Sequence, residues 1–359
     1  MERHDDWPRA TLLVLNWNGK ELLATCLPPL LSQDYPDYEV VVIDNGSEDG
    51  SVDYIRQQFP TVSILENGRN LGFSGGLNAG LRQADGQVIA LLNNDVIVLG
   101  EGWLRQLIAP FQGDTKVGIT GCKLYFPDGE TLQHAGAHLT YPLGYSEHYG
   151  YLEHDEGQYD EQTDVDYVTG AAVALRQEMI AEVGLFDESF APIYYEEVDL
   201  CYRARAAGYR VIYVPRAKAI HNESASFGRM RERHRLTFHR NRLRFVFKHY
   251  TSTQILEDFV PAEEERIATT ATSGELHTLR LVFMELLLAL PERLVARGER
   301  DQLQKFQAAL LRLRQATLTR QLVEDPPASE DPLKVELATR QHIEEPALVS
   351  NAPLVGPLV

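Results

Sequence analysis

The chain has 359 residues, 44% of them hydrophobic and 24% charged, which suits one large globular domain or two smaller ones. Its formal net charge of −18 excludes general nucleic-acid binding, which needs a basic footprint. Any anionic diphosphate held by so acidic a chain needs a metal or a local basic patch to offset repulsion.

From the N-terminus, residues 11–125 alternate strand-like and helix-like segments. Thr11–Leu15 reads as an apolar strand and Asn16-Trp17-Asn18-Gly19 as a turn, with helical spacing over 20–33. Val40–Ile43 is a second strand that ends in Asp44-Asn45-Gly46-Ser47. A helix over 51–58 and a strand at Val62–Leu65 follow. A Gly-rich loop from Asn67 to Gly76 runs into a helix ending near Ala84, and Val88–Leu92 is a strand leading to Asn93. This alternation predicts a Rossmann-like, doubly wound, mostly parallel α/β sheet.

Residues 126–165 show little periodicity and read as a loop-rich insertion over the site. Segments over 166–220 return to strand and helix. Residues 229–250 are basic and helical. Residues 275–322 read as two amphipathic helices broken near Pro291. The expected division is a catalytic domain over 1–250, a helical extension over 251–323 and a Pro-rich acidic tail over 324–359 that is extended or mobile.

Cys26, Cys122 and Cys201 are odd in number and form no Cys-x-x-Cys, so they predict buried thiols in a reducing compartment. The N-terminus lacks a signal-peptide apolar region. The run Leu281 to Leu290 contains Glu285 and is too short to span a bilayer. The expected location is the cytoplasm.

Chemistry concentrates at strand ends. Asn93-Asn94-Asp95 delivers one carboxylate and two amides to the edge where ligands of open α/β sheets bind. There a hard cation would find oxygen ligands, although the triplet is also good turn chemistry. Asp44 is placed to accept from the N3–H of uracil or thymine, or to close an Asx-turn. Asn70 to Gly80, including Gly76, lets backbone approach a nucleotide, or serves close helix packing. Tyr194-Tyr195-Glu196-Glu197-Val198-Asp199 sets three acids at a helix start behind two tyrosines. One of them is a candidate general base for a sugar hydroxyl, although acids there also complement the helix dipole. His221 follows a strand and, with Asp95, suits Mn²⁺, while a lone histidine is more often structural. The arginines from Arg229 to Lys248 suit an anionic membrane surface, a lipid-linked diphosphate, or an acidic face of the protein itself.

Together these residues resemble glycosyltransferase family 2, the inverting enzymes of GT-A fold. The resemblance rests on Val41-Val42-Ile43-Asp44-Asn45-Gly46-Ser47, Asn70-Leu71-Gly72-Phe73, Asn93-Asn94-Asp95, Thr169-Gly170-Ala171-Ala172, Gly184-Leu185-Phe186-Asp187-Glu188, Glu196-Glu197-Val198-Asp199-Leu200 and His221, and spans about Thr11 to Tyr250. The subgroup it resembles most is the bacterial rhamnosyltransferases of O-antigen and cell-wall assembly, on Arg240-Asn241-Arg242-Leu243-Arg244-Phe245 as well. The resemblance implies that Asp44 and Asn45 contact the nucleotide and that Asn93, Asn94 and Asp95 stand where the family has Asp-x-Asp. It also implies that Asp95 and His221 hold Mg²⁺ or Mn²⁺ and that Glu197 is the base. Asn93 replaces an Asp and Glu197 replaces an Asp, so the base stays open among Glu196, Glu197 and Asp199.

The implied reaction is inverting transfer from a nucleotide-diphosphate sugar, preferentially dTDP-L-rhamnose, to a glycan or polyprenyl-diphosphate-linked acceptor. UDP-galactofuranose, UDP-hexoses and UDP-N-acetylhexosamines are the alternative donors. A nucleotidyltransferase and a non-catalytic nucleotide-sugar-binding scaffold are the rival classes. Peripheral contact with an anionic membrane and pairing of two copies through the helices at 275–322 complete the expectations.

Overall fold

The computed structural model describes residues 7–222 and 231–324. The tail beyond Glu324 and Arg229 of the basic stretch lie outside the described residues.

The strands are β1 (Ala10–Asn16), β2 (Tyr38–Asp44), β3 (Ser63–Glu66), β4 (Val88–Asn93), β5 (Val96–Val98), β6 (Val117–Tyr125), β7 (Leu132–His134), β8 (Ala137–Leu139), β9 (Ser146–His148), β10 (Thr163–Asp164), β11 (Ala172–Arg176) and β12 (Arg210–His221). The helices are α1 (Lys20–Leu31), α2 (Ser51–Gln58), α3 (Gly72–Leu81), α4 (Trp103–Ile108), α5 (Gln177–Val183), α6 (Glu196–Ala206), α7 (Arg231–His249), α8 (Val260–Thr269), α9 (Ser273–Ala296) and α10 (Leu303–Glu324). The main sheet runs β10-β12-β6-β11-β4-β1-β2-β3. Strands β3, β2, β1 and β4 are parallel to one another. Strand β11 is antiparallel to both β4 and β6, and β12 is parallel to β6. The mostly parallel α/β reading therefore holds, with one inserted antiparallel strand at its centre.

The reason lies in the strand sequences. Leu12, Val14, Val42, Ala90 and Leu92 share a buried core with Leu23 and Leu27 of α1, Ile55 of α2 and Trp103 and Leu107 of α4. The alternate residues Leu13 and Ile43 meet α3 on the opposite face, where both approach Gly80. A strand covered on both faces is apolar at every position, which is why these runs were contiguous.

By compactness the chain divides into two units. Among the described residues, one comprises 7–222 and Arg231 with Asn241–Phe245, and the other Glu232–Arg240 with Val246–Glu324. In the second, α10 packs against α8 and α9. Phe259, Phe283, Leu290 and Phe306 are buried there, and Glu263 is fully buried against the Arg266 guanidinium.

Two expectations need correction. The break expected at Pro291 does not occur, since α9 continues through Pro291 to Ala296. It ends where Gly298 adopts φ +70°. There the Gly298 N–H donates to Val295 O at 3.0 Å and the Glu299 N–H to Leu294 O at 2.8 Å, a Schellman closure. The insertion over 126–165 is not only loop. It holds β7 paired with β6, the β8–β9 hairpin and β10 paired with β12. Strands of two or three residues are too short to show alternation.

Candidate active site

The C-terminal ends of β1, β2 and β4 form one polar edge. Asn16, fully buried at the end of β1, is its hub. Its Oδ1 accepts from Asn94 Nδ2 at 2.8 Å, and its Nδ2 donates to Asp44 Oδ1 at 3.3 Å and Ser47 Oγ at 3.2 Å. Asp44 Oδ2 accepts the N–H groups of Gly46 (3.2 Å) and Ser47 (3.0 Å), so Asp44 does close the Asx-turn. Gly46 has φ +80°, and a Cβ there would lie 2.6 Å from the Arg69 backbone. Asn16 had been read only as part of a turn. Its role follows from parallel pairing of β1 with β2 and β4, which sets Asn16 opposite Asp44 and beside the Asn93 end.

Two expected donor-binding residues, Asn45 and Gly76, make close contacts within the scaffold of this edge. Asn45 is buried, and its amide donates to Asn70 Oδ1 (3.0 Å) and Gly72 O (3.1 Å) while its Oδ1 accepts from Asn67 Nδ2 (3.2 Å) and Leu71 N (3.0 Å). That fills the capacity of the side chain, which pins the Gly-rich loop. Gly76 sits inside α3, where a Cβ would lie 2.6 Å from Leu15 Cδ1 and 3.2 Å from Asn45 Nδ2. Its glycine serves close packing of α3 on β1. Asn78 extends the same scaffold, donating to Phe186 O (3.0 Å) and Glu188 Oε1 (2.9 Å) and accepting from Phe186 N (3.0 Å).

Asp95 and His221 are brought together as expected. Antiparallel pairing of β5 with β12 sets His221 opposite Val96, and the Asn222 N–H donates to Asp95 O at 3.1 Å. His221 Nε2 lies 3.3 Å from Asp95 Oδ1. That oxygen is buried and makes no hydrogen bond. His221 Nδ1 lies 2.7 Å from Gln133 Oε1, which orients the ring and turns Nε2 toward Asp95. The separation is close to the about 3 Å between neighbouring corners of an octahedron with bonds of about 2.1 Å. An orphaned buried carboxylate oxygen beside an oriented imidazole fits a divalent cation. Gln133, on β7 within the supposed loop, carried no sequence signal.

The acids at the start of α6 separate sharply. Asp199 is fully buried and accepts from Arg203 Nε at 2.8 Å, while the rest of that guanidinium donates to the carbonyls of Val183, Gly184 and Leu185. Asp199, a candidate base, is thus an ion-paired anchor of α6. Glu196 is buried, Glu197 is half-buried, and Oε2 of each lacks a hydrogen-bond partner. Desolvation pushes the Glu197 carboxyl up to about 7, opposed by backbone N–H groups at the helix start. Burial, then the neighbouring Glu197 charge, raises Glu196 well above the carboxylate range. Before them Tyr194 and Tyr195 both lie in the left-handed region, at φ 75° and 72°. Non-glycine residues in that region cost about 1–3 kcal/mol each, so surrounding contacts must hold them.

The Thr169–Ala171 segment joins the parts. Ala171 O accepts the Asn93 N–H at 2.9 Å, and a Cβ on Gly170 would lie 3.7 Å from Glu197 Cβ. The Thr169 N–H donates to His134 Nε2 at 3.4 Å, and burial holds His134 neutral. Glu197 of α6 and the Asn93 backbone at the end of β4 therefore border one segment.

Two arginines of the basic stretch have partners within the protein. Arg240 forms a two-pronged pair with Glu285 at 2.6 and 2.7 Å. Arg242 is fully buried, donating to Leu143 O at 2.8 Å and stacking 4.4 Å from the Tyr145 ring centroid. These two arginines support the fold. The cysteines are free and buried, with each thiol pushed up to about 12 by desolvation. No described helix is long and apolar enough to cross a membrane.

Residues 11–184 match the model of glycosyl transferase family 2. Through this region, just under half of its length, the chain is similar to that family. Three relatives place it further. An uncharacterised protein of Sinorhizobium fredii is 33% identical over 237 residues, 62% of this chain and 25% of that protein. An O-antigen biosynthesis protein of Myxococcus xanthus is 32% identical over 228 residues, 61% of this chain and 18% of that protein. The N-acetylglucosaminyl-diphospho-decaprenol L-rhamnosyltransferase of Mycobacterium tuberculosis is 27% identical over 229 residues, 58% of this chain and 74% of that protein. The chain thus spans a quarter or less of the first two relatives. A mannosyltransferase of Pyrobaculum calidifontis, solved with GDP-Man and Mn²⁺, is 18% identical with a TM-score of 0.51, covering 89% of each chain. At that identity the likeness shows the fold, which is GT-A.

Proposed function

We propose that this protein is an inverting glycosyltransferase that moves L-rhamnose from dTDP-L-rhamnose to a hydroxyl of a lipid-linked glycan. The observation that carries the enzymatic reading is Glu197 at the start of α6, with its buried Oε2 unpartnered, bordering the same backbone segment as the end of β4. The sugar and the lipid-linked acceptor draw support from the rhamnosyltransferase and O-antigen relatives.

Glu197 acts as the general base. Its raised pKa keeps it basic enough to accept a proton near neutral pH. Its carboxylate takes the acceptor's hydroxyl proton, and the acceptor oxygen forms a bond to the anomeric carbon. The bond from that carbon to the β-phosphate oxygen breaks on the opposite side, and its electron pair leaves with the nucleoside diphosphate. Configuration inverts through an oxocarbenium-like transition state. Glu196 is more deeply buried, and burial, then the neighbouring Glu197 charge, raises it well above the ordinary carboxylate value. Asp95 and His221 would hold a divalent cation, whose contribution when bound is charge compensation of the leaving diphosphate. Among the described residues no group of three or more His, Cys, Asp and Glu side chains suits a metal, so the donor's diphosphate and water would complete the coordination. Asp44 would read the base from the polar edge it shares with Asn16 and Asn94.

Thermal shift against dTDP, UDP, GDP and their sugars, with Mn²⁺, Mg²⁺ or EDTA, tests the donor. Metal-dependent stabilisation strongest with dTDP-L-rhamnose supports the reading. Preference for UDP-galactofuranose, a UDP-hexose or a UDP-N-acetylhexosamine replaces the donor within the same family. No response, together with no turnover, favours the non-catalytic scaffold.

A further inference from the structure

We propose that Asn241, on α7, is a positioning residue for catalysis, holding the left-handed Tyr194–Tyr195 segment so that α6 presents its carboxylates to the site. This rests on the reading of Glu197 as the base.

Asn241 is fully buried. Its Nδ2 lies 2.6 Å from Phe190 O, 2.8 Å from Ile193 O and 3.0 Å from Tyr194 O. One amide nitrogen therefore gathers three carbonyls of the loop that ends at Glu196. The orientation is set chemically, because an oxygen in that place would face three carbonyl oxygens. The amide Oδ1 turns the other way and accepts from Arg244 Nη1 at 3.4 Å. One turn along the same face of α7, the Phe245 ring lies 5.8 Å from the Tyr195 ring. The Tyr195 hydroxyl is fixed separately, donating to Gly144 O at 2.7 Å.

The loop cannot supply these contacts itself. Tyr195 O accepts the Asp199 N–H at 2.8 Å and so opens α6, but the left-handed pair Tyr194–Tyr195 just before the helix persists only where neighbours over-determine it. Releasing it would let the start of α6 relax and Glu197 drift from the reacting hydroxyl. A misplacement near 1 Å costs about 100-fold in rate.

The test uses the full chain with Asn241→Ala, and with Asn241→Ser, which keeps one donor should the alanine variant fail to fold. Hydrogen exchange without any ligand is read first. The account expects faster exchange in 190–197, with strands β1, β2 and β4 as protected as in the parent. Unchanged exchange in 190–197, or loss of protection spread through the sheet, overturns the proposal. Turnover of dTDP-L-rhamnose with a short-chain prenyl-diphospho-N-acetylglucosamine is read second. A fall in kcat of about 10- to 100-fold, with donor KM within about twofold, is expected. The serine variant should fall between alanine and parent. Equal losses in kcat and donor affinity contradict a positioning role. Glu197→Gln is measured alongside. If it retains full turnover, the base assignment fails whatever Asn241 does. If it loses turnover while Asn241→Ala changes neither exchange nor kcat, only the Asn241 proposal fails.

Discussion

Glu196, Glu197 and Asp199 lie within four positions, share a helix start and look alike in sequence, yet their surroundings give them different chemistry. Asp199 is neutralised by Arg203, Glu196 is shut away from water, and Glu197 keeps partial access with an unpartnered oxygen. Glu197→Gln should therefore retain donor binding and lose about 100- to 10,000-fold in kcat, read by steady-state kinetics and calorimetry. The rate of the parent enzyme should rise with pH through about 7, because the base works as the carboxylate. The same shift bears on stability. The carboxyl gives up its proton more readily in the unfolded chain than in the folded one, so rising pH from the ordinary glutamate range through about 7 removes stability. Glu197→Gln should therefore melt above the parent at pH 8, with the gap closing at pH 5. A lower melting temperature at pH 8 would contradict the desolvated placement of Glu197.

Strands β1, β2 and β4 and helix α2 were legible because residues covered on both sheet faces must be apolar in unbroken runs, and because α2 is bounded by Gly50 and Phe59. The placement of Asp44, Asp95, Glu197 and His221 at or next to strand or helix ends was legible in the sequence. The supporting residues were not. Asn16 looks like any turn asparagine until β1 is paired, Gln133 lies in a segment whose strands are too short for a pattern, and Asn241 was hidden among arginines. At Asn45 and Gly76 the sequence left packing and donor contact undivided, since polar and glycine residues near a ligand edge serve either. Asn16→Ala would leave the Asn94 amide and Asp44 without their shared partner at a cost of about 1–3 kcal/mol. Thermal unfolding should show the loss, and nucleotide affinity should fall with it. Gly76→Ala should destabilise by a similar amount, about 1–3 kcal/mol, because its methyl meets Leu15. Unchanged stability in that variant would return Gly76 to the donor site.

The acidity of the chain and the chemistry of its site are connected. A protein of net charge −18 repels a nucleotide diphosphate, and the basic stretch does not offset this at Arg240 or Arg242, which are committed to Glu285 and to the interior. A cation at Asp95 and His221 is the proposed offset. Isothermal titration of dTDP into the parent, Asp95→Ala and His221→Ala proteins, with Mn²⁺ and again with EDTA, tests this most directly. The account predicts binding to the parent only with Mn²⁺, abolished by Asp95→Ala and weakened at least about tenfold by His221→Ala, the lower range seen on losing a metal site's supporting group. Binding that is equal in EDTA, or untouched by Asp95→Ala, would contradict it.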